Sequence, residues 1–271
     1  MTKKEYKRVM TIAGSDPSGG AGLQADIKTI SACGCFATSA VVAVVDENTV
    51  GVTGVHPIPA AFVAGQIHSI LDDIGTDSIK IGMLHSSELI HIVRDTLDEY
   101  PDIKDIVLDP VMVATSGDAL LQSDATATLR DVLIPRSRVI TPNIPEAEIL
   151  LERRIAEDDE LPDAARELAS LGASVFLKAG HLTGDTLTDI FYNAETDEII
   201  TMSSPRISTK NTHGTGCTLS SAMASFLAKG HSLNDAARLA KQYISTAIIA
   251  GADYTIGHGN GPVHHFHTLW R

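Results

Sequence analysis

Cysteine, aromatic residues and long apolar runs are all scarce in this sequence. Of its 271 residues, 3 are cysteine and 4% are Phe, Trp or Tyr. The cysteines, at positions 33, 35 and 217, are too few for a disulfide framework, so we expect a protein of the reducing cytoplasm. The basic N-terminus precedes too short an apolar run for a signal peptide, and no run is long enough to span a bilayer. We therefore expect no membrane partner.

Positive charge is the other shortage. The chain has 21 Lys and Arg residues against 34 Asp and Glu residues, which gives a formal net charge of −13. Nucleic acids and anionic surfaces bind to clustered Lys and Arg, so neither is an expected partner. A substrate that carries phosphate would need local attraction from backbone N–H groups, a lysine or a metal ion. With 44% hydrophobic residues, the chain can bury a sizeable core.

Strand and helix patterns alternate along most of the chain. The predicted strands of one sheet are residues 8–13, 37–45, 78–83, 105–113, 138–143 and 174–180. Helical patterns occupy the intervals, near residues 20–32, 59–73, 86–99, 122–134, 144–151 and 162–171. This order predicts an α/β fold of parallel βαβ units, with a mostly parallel central sheet and helices on both faces.

The last third of the chain departs from this alternation. Segments 186–193 and 198–204 predict an antiparallel hairpin at the sheet edge, and two helices follow near 216–229 and 232–251. No internal repeat, low-complexity tract or linker is visible in the sequence. We therefore predict a single domain over residues 1–271, with its ligands beyond the carboxyl ends of the strands.

The stretch KNTHGTGCTLSSA, residues 210–222, predicts an anion site at the start of a helix. Gly214, Thr215 and Gly216 can turn backbone N–H groups toward a ligand, and the helix N-terminus adds partial positive charge. The thiol of Cys217 would be biased toward its thiolate at such a position. The alternative is a glycine turn before a core helix that contains a buried cysteine.

A second glycine-rich stretch, GSDPSGGAGLQAD, follows the first strand. It lacks the lysine of a P-loop, which excludes a Walker nucleotide site. A G-x-G-x-x-A pattern occurs at Gly20, Gly22 and Ala25. This pattern keeps a nicotinamide-binding oxidoreductase open, although the loop before it is too long for that fingerprint. The other interpretation is a wall beginning at Gly14 that lies against a small flat substrate, with Asp26 one helical turn further on.

Three more strands end at polar residues that could carry chemistry. Asp109 ends one strand, and Asn143 ends another, with Glu146 three residues later. Two carboxylates and an amide suit Mg²⁺, whereas Asn143 and Glu146 alone would form a helix-capping box. Lys178 ends a third strand, where a buried lysine needs an anion such as a nucleotide phosphate. Together with the glycine cradle, these residues make the set that phosphoryl transfer requires.

Five motifs of the chain resemble those of one enzyme family. They are GSDPSGGAGLQADIKT, DPVMV, TPNIPEAE, KAGH and NTHGTGCTLSSA, and they occur in order over nearly the whole chain. The set is similar to that of bacterial hydroxymethylpyrimidine/phosphomethylpyrimidine kinases, which are members of the ribokinase-like superfamily. Most ribokinase-like kinases have an aspartate where this subgroup has the cysteine that corresponds to Cys217. The resemblance implies a three-layer sandwich and a homodimer.

The resemblance also implies an activity and a role for each candidate residue. The activity is ATP-dependent phosphorylation of 4-amino-5-hydroxymethyl-2-methylpyrimidine, and then of its monophosphate, on the way to thiamine. Residues 214–216 would form the anion hole, and Cys217 would be the candidate base. The implied ligands of nucleotide phosphate are Asn143 and Lys178, those of Mg²⁺ are Asp109 and Glu146, and the ring pocket is lined by Ala21, Met83 and Val111.

One substitution separates this chain from the family pattern. Where the family usually has Ala-Gln-Asn-Thr at a strand end, this sequence has DENT, with Glu47 in place of the glutamine. An ionised Glu47 can accept hydrogen bonds but cannot donate them, so it prefers a ring nitrogen that carries a proton. An aminopyrimidine can supply that proton, and so can the pyridine ring of vitamin B6. A pyridoxine/pyridoxal kinase therefore stays open, and a non-catalytic regulator on the same fold is a third interpretation.

Two other clusters have plainer interpretations. Cys33 and Cys35 form C-x-C without a second cysteine pair, which favours packing over a zinc site. Four tail histidines could suggest a metal site, but we expect a loop that closes over the site or a surface contact; they are His258, His264, His265 and His267.

Overall fold

The apolar runs of the sequence form strands because their alternate side chains can pack against helices on both faces of a sheet. The computed structural model describes residues 4–112, 125–180 and 184–270. The strands are β1 (Arg8–Ala13), β2 (Phe36–Val41), β3 (Ala43–Asn48), β4 (Gly51–Pro57), β5 (Ser78–Ile81), β6 (Ile106–Leu108), β7 (Val139–Ile140), β8 (Ser174–Leu177), β9 (Thr186–Asn193) and β10 (Glu198–Pro205). The helices are α1 (Gly22–Ala32), α2 (Ala60–Leu71), α3 (Ser87–Asp98), α4 (Ala125–Thr128), α5 (Ile144–Leu151), α6 (Leu161–Ala169), α7 (Thr215–Ala228) and α8 (Leu233–Gly251).

The main sheet contains eight strands in the order β10-β9-β8-β7-β6-β5-β1-β2. All neighbours from β8 to β2 in this order pair in parallel, and β9 and β10 pair antiparallel at one edge. In the edge hairpin Thr186 lies opposite Pro205, and Asn193 lies opposite Glu198. The predicted mostly parallel sheet and its antiparallel edge hairpin are both confirmed.

Consecutive residues of the central strands belong to cores on opposite faces of the sheet. Val107 and Phe176 lie in a core with residues of α1, α7 and α8. Leu108 and Leu177, each one residue further on, lie in a second core with residues of α2, α3, α5 and α6. Two helical layers therefore enclose the sheet, which confirms the predicted ribokinase-like three-layer arrangement.

The predicted strand over residues 37–45 is wrong in one respect, because it is two strands. At Val42 the chain leaves the main sheet: its N–H donates to Ala13, and its carbonyl oxygen accepts from Ile58. β3 then pairs antiparallel with β4 in a separate two-stranded sheet, with a register shift between Asp46 and Glu47. β4 was not predicted, since most of its residues are exposed and it has no apolar alternation.

The strands that lead to the polar residues are shorter than predicted. β6 and β7 end before Asp109 and Thr141, because Pro110 and Pro142 interrupt regular pairing, and β8 ends before Lys178. Residue 113 of the predicted strand 105–113 and residues 122–124 of the predicted helix 122–134 lie outside the described residues. No helix in the described part of the chain has both the length and the apolar character needed to cross a bilayer.

Candidate active site

A cavity of about 750 Å³ lies at the carboxyl edge of the main sheet. Its walls come from the loop after β1, from β3, from the ends of β5, β6 and β8, and from the start of α7. The predicted site residues that border it are Gly14, Ala21, Glu47, Met83, Asp109, Val111, Asn143, Glu146, Lys178, Gly214, Thr215, Gly216 and Cys217. The structure thus brings together residues that are up to about 200 positions apart in sequence, at the edge where parallel α/β sheets bind ligands.

The two glycine-rich stretches interlock at this edge. Gly214 has a φ of 76°, and a Cβ at this position would overlap the carbonyl oxygen of Gly20. A Cβ at Gly20 would in turn overlap the ring of His213. The carbonyl oxygen of Gly214 accepts from the Thr218 hydroxyl at 2.8 Å, one turn into α7. Only glycine permits this close approach, which holds the predicted cradle against the loop that follows β1.

Gly216 lies against both charged residues of the predicted phosphate end. A Cβ placed on Gly216 would lie 3.1 Å from the Nζ of Lys178 and 3.2 Å from the Oδ2 of Asp109. The backbone of the cradle therefore meets a lysine and a carboxylate at one point, with Cys217 as the next residue. A β-carbon at position 216 would take up this space.

Lys178 and Asp109 form an ion pair that faces the cavity. Lys178 donates to Asp109 Oδ1 at 2.9 Å, and Thr141 donates to the same oxygen at 2.9 Å. Burial alone would raise the pKa of Asp109, but the positive charges of Lys178 and Lys80 outweigh it and lower the pKa. Burial would lower the pKa of Lys178, and the charges of Asp109 and Glu146 raise it instead. Both groups are therefore ionised at neutral pH.

Asn143 and Glu146 form the capping box that their spacing predicts. Asn143 caps α5 by accepting from the Glu146 N–H at 2.9 Å, and the Glu146 carboxylate accepts from the Asn143 N–H at 2.8 Å. Burial and the nearby charge of Asp109 raise the pKa of Glu146 to about 7, although Lys178 opposes them. The capping interpretation is confirmed, and the same two side chains also border the cavity.

Cys217 lies in the first turn of α7 and is partly exposed. Burial raises the pKa of its thiol to about 11, and the charges of Asp26 and Asp109 add to the rise. The charge of Lys80 and a hydrogen bond with the Gly22 backbone act in the opposite direction but do not overcome it. The predicted bias toward the thiolate is therefore wrong, because burial of the sulfur, with two carboxylates nearby, favours the neutral thiol.

Asp26 is the one predicted site residue that does not border the cavity. It is fully buried and accepts from both Lys80 and the hydroxyl groups of Thr11 and Ser221. Lys80 contacts its two oxygens at 2.9 Å each. Asp26 is therefore a structural carboxylate behind the wall, and its prediction as a substrate ligand is corrected. The sequence analysis missed Lys80, although a lysine inside the apolar strand SIKI was a signal for such a pair.

A second group that the sequence did not predict lies where Glu47 borders the cavity. His213 Nε2 lies 2.9 Å from Asp16 Oδ2 and 3.8 Å from Glu47 Oε1. The Asp16 carboxylate also accepts from backbone N–H groups of Gly20 and Ala21. These hydrogen bonds lower the pKa of Asp16 against the effect of burial. Among the His, Cys, Asp and Glu residues that the structure describes, Asp16, Glu47 and His213 are the one group of three whose potential metal-ligand atoms all lie within 4.8 Å of one another. The ion pair of His213 with Asp16 already accounts for this proximity.

The cavity is lined by another ion pair that was not predicted. Lys241 of α8 lies 2.8 Å from Asp189 Oδ2, and Asp189 Oδ1 accepts from the Ala179 N–H at 2.9 Å. Asp189 therefore fixes the backbone directly after Lys178. Apolar residues of α8, Ile248 and Ile249 among them, complete this wall. An acidic residue in the middle of the hairpin strand TLTDIFYN was the sequence signal that could have predicted this pair.

The two remaining clusters are the C-x-C cysteines and the tail histidines. Cys33 and Cys35 are buried free thiols, as the packing interpretation predicts. His264 and His265 are buried against α7 and α8 rather than on the surface, and the His265 ring lies 3.2 Å from the Thr218 hydroxyl. The expectation of a surface contact is therefore wrong for these two histidines, while His258 is exposed.

The chain is similar in sequence to known kinases. A family model described as phosphomethylpyrimidine kinase matches residues 16–264. The hydroxymethylpyrimidine/phosphomethylpyrimidine kinase of Rhizobium meliloti is 45% identical over 264 residues, which are 97% of this chain and 98% of that protein.

Solved structures of two enzymes superpose closely. An ADP complex of Bacillus subtilis pyridoxal kinase has a TM-score of 0.89 at 34% identity, and the match covers 98% of this chain and 100% of that chain. A phosphomethylpyrimidine kinase of Clostridium difficile has a TM-score of 0.78 at 39% identity, with 89% and 99% covered. The fold is therefore shared by kinases named for two different ring substrates, pyridoxal and phosphomethylpyrimidine.

Proposed function

The chain belongs to the phosphomethylpyrimidine kinase family, and we propose that it phosphorylates 4-amino-5-hydroxymethyl-2-methylpyrimidine with ATP and then phosphorylates the monophosphate. The observation that carries this proposal is the position of Gly216, directly before Cys217, where an added Cβ would lie 3.1 Å from Lys178 Nζ and 3.2 Å from Asp109 Oδ2. Backbone N–H groups, a cation, a carboxylate and a proton acceptor then meet at one point of the cavity. That combination is suited to an anionic group in transfer.

The cradle and Lys178 would stabilise the phosphoryl group during transfer. Phosphoryl transfer has a loose transition state, so fixed N–H groups and positive charge act mainly by position and by neutralising oxygen charge. The N–H groups of Gly214, Thr215 and Gly216 would bind the transferring group, and Asn143 and Lys178 would contact the nucleotide phosphates. ATP would lie toward the Asp189–Lys241 end, and the acceptor ring toward Glu47.

Cys217 would receive the proton of the acceptor hydroxyl. With a pKa of about 11, its thiol holds its own proton at neutral pH. The nearby charge of Asp109 is one cause of that high pKa. A cation bound beside Asp109 would balance that charge and lower the pKa of the thiol, so we expect the thiol to release its proton to water in the loaded site, and the thiolate then accepts the hydroxyl proton. A loose transition state needs the base late, when the new bond to phosphorus forms.

Asp109 and Glu146 are suited to hold Mg²⁺. Asp109 Oδ2 has one side-chain hydrogen bond in the described residues, from the Ser220 hydroxyl at 3.5 Å. Two carboxylates face Lys178 here, and the pKa of Glu146 is raised first by burial and then by the charge of Asp109. Oxygen ligands and unbalanced negative charge fit a hard divalent cation, which would neutralise phosphate oxygens when bound.

A kinase assay with Mg²⁺, ATP and each acceptor tests this proposal. We expect ADP release that depends on the pyrimidine, with mono- and diphosphate products identified by mass spectrometry. ATP consumption that is independent of any added vitamin precursor would contradict the proposal and favour a regulator. Stabilisation by NAD(H) but not by Mg²⁺ and ATP in a thermal-shift measurement would favour the oxidoreductase instead.

Pyridoxal is the second candidate acceptor. The observation that favours it is Glu47, whose carboxylate suits the protonated nitrogen of a pyridine ring. The pyridoxal kinase of Bacillus subtilis also superposes with a TM-score of 0.89. Side-by-side measurements of kcat/KM with each ring would identify the preferred acceptor. A higher value for pyridoxal would overturn our preference for the pyrimidine.

The assembly that we propose is a homodimer of single-domain chains in the cytoplasm. The small sheet and α2 expose large apolar side chains, of which Val44, Val50 and Phe62 are each at least half exposed. A second copy of the chain would remove them from water. The three free thiols favour a reducing compartment. Sedimentation equilibrium gives the mass that distinguishes a dimer from a monomer.

A further inference from the structure

The chain directly after β8 is held by a side chain of the neighbouring strand. The last paired residues of β8 and β9 are Leu177 and Ile190. Two positions after Leu177, Ala179 is 1% exposed, and its N–H donates to Asp189 Oδ1 at 2.9 Å. A buried N–H without an acceptor is costly, so the Asp189 carboxylate accepts here in place of a ladder carbonyl.

Lys178 lies between this contact and the next strand end on the other side. Its N–H donates to the carbonyl oxygen of Pro142 at 2.9 Å, and it forms a parallel bridge with Asn143. Because β8 lies between β7 and β9 in the sheet, the backbone at 178–179 is held from both sides. A lysine side chain is a flexible stem, so the location of its ammonium group depends on how firmly its backbone is fixed.

Lys241 of α8 holds the Asp189 carboxylate in turn. Its Nζ lies 2.8 Å from Asp189 Oδ2, and the two side chains are 14% and 10% exposed. A carboxylate so far from water needs a cationic partner. The ion pair uses Oδ2 while Oδ1 accepts from Ala179. One carboxylate therefore links α8 to the backbone that carries Lys178.

The location of the Lys178 ammonium group is critical because the cradle and a carboxylate both meet it. Its Nζ lies 2.9 Å from Asp109 Oδ1, and a Cβ on Gly216 would lie 3.1 Å from the same Nζ. A displacement of about 1 Å at a reacting site can lower the rate by about 10²-fold. A small movement of the backbone at 178–179 would displace the ammonium group relative to the cradle.

We propose that Asp189 is a positioning residue for phosphoryl transfer, which acts by fixing the backbone of Lys178 through the Ala179 N–H. This inference rests on the proposed function, because it requires that Lys178 stabilises the group in transfer. Asp189 needs no contact with either substrate for this role. Its loss should lower kcat and leave the KM of the acceptor nearly unchanged, since an interaction made mainly in the transition state is weakened.

A double-mutant cycle of Asp189→Ala and Lys178→Met tests the proposal, with kcat measured at saturating concentrations of both substrates. We expect Asp189→Ala alone to lower kcat by about 10²-fold. In the Lys178→Met background the same substitution should lower kcat by about twofold or less, because the group that it positions is gone. A merely structural role would lower kcat by similar factors in both backgrounds.

The conservative variant Asp189→Asn separates the hydrogen bond from the charge. Its amide oxygen can still accept from Ala179, so its kcat should exceed that of Asp189→Ala by at least about tenfold. Asp189→Leu fills the same space without an acceptor, and it replaces the alanine variant if that variant does not fold. The matched control is Glu198→Gln, which should keep the wild-type kcat. Glu198 also joins the hairpin to α8, by accepting from Asn234 at 2.7 Å, but it is not among the residues that line the cavity.

Each result bears on a different part of the account. A wild-type kcat for Asp189→Ala, an equal loss in both backgrounds, or an asparagine variant as slow as alanine would overturn this inference and leave the proposed function standing. Wild-type protein without turnover that depends on an acceptor would overturn the proposed function. Full turnover by Lys178→Met would overturn both.

Discussion

Two lysine–aspartate pairs lie at the carboxyl edge of the same sheet, and they differ in what surrounds them. Lys80 and Asp26 are completely buried, and Asp26 also accepts from Thr11 and Ser221. In the other pair the side chain of Lys178 is 17% exposed and borders the cavity beside Gly216. The same ion pair is thus enclosed in one place and open to a ligand in the other.

This difference indicates that the enclosed pair stabilises the fold, whereas the open pair is available to a ligand. Lys80 uses both oxygens of Asp26, so the pair has no capacity left for a ligand. Lys178 uses only one oxygen of Asp109, and its ammonium group still faces the space beside the cradle. A buried ion pair with all its hydrogen bonds made is costly to break and has little scope to act on a substrate. The two pairs should therefore respond differently to the same substitution.

The largest expected effect is on stability, from Lys80→Met. The substitution leaves Asp26 as a buried, uncompensated charge, and loss of one partner of such a pair costs about 3–5 kcal/mol. The free energy of unfolding, measured in urea, should fall by this amount. A loss no larger than that of an exposed ion pair, about 1 kcal/mol or less, would contradict the role that we assign to the enclosed pair.

Lys178→Met is the matched variant for the open pair. We expect a smaller loss of unfolding free energy, because water and counterions can reach Asp109 once the lysine is gone. Turnover should fall by about 10²–10³-fold, since a preorganised charge on the phosphoryl group is lost. The distinction between the two pairs would fail if both variants lost stability equally and Lys178→Met kept full turnover.

Cys217 lies near both pairs, and Cys217→Ala measures its contribution to transfer. General-base assistance is commonly worth about 10²–10⁴-fold, and a loose transition state asks for the lower part of that range. We expect turnover to fall accordingly while nucleotide affinity stays nearly unchanged, and Cys217→Asp to be partly active. Steady-state kinetics and nucleotide titration provide both values. Full turnover by the alanine variant would make Cys217 a packing residue.

The smallest effect is expected from a third ion pair, His213–Asp16, whose cation can lose its proton. The pKa of His213 is raised above 6.5, so its contribution to stability is fully present below 6.5 and is lost as the pH rises further. The pKa of Asp16 is lowered below 3.8, so its contribution is present above 3.8 and is lost as the pH falls. The stability advantage of wild type over His213→Gln should therefore shrink as the pH rises above 6.5. A constant difference in unfolding free energy over that range would exclude this ion pair as its source.

The sequence was sufficient where one local rule decides the outcome. The apolar runs of β1 and β5 to β8 predicted the sheet, and the spacing of Asn143 and Glu146 predicted the capping box that forms. The glycine at position 214 predicted a turn at the helix start, and Gly214 has the positive φ that such a turn requires. These features depend on residues that are close together along the chain.

Features that depend on long-range neighbours were missed or wrong. The helix start at Cys217 predicted a lowered pKa, but burial of the thiol raises the pKa, and the carboxylates of Asp26 and Asp109 add to the rise. The position of Asp26 just after the glycine-rich loop predicted a substrate ligand. Only the fold reveals that its partner is Lys80, 54 positions away in sequence. The pairing of Asp16 with His213 spans 197 positions. Local pattern cannot specify such pairs.

The most direct test of the central claim is Gly216→Ala. The glycine lies in the first turn of α7 without a positive φ, and the methyl group would meet the end of the flexible Lys178 side chain, so we expect the free energy of unfolding to change by no more than about 1 kcal/mol. The added methyl group would take up the space beside Lys178 and Asp109, and we expect kcat to fall by at least about 10²-fold. A variant that is equally stable and turns over at the wild-type rate would show that no phosphoryl group passes through this cradle.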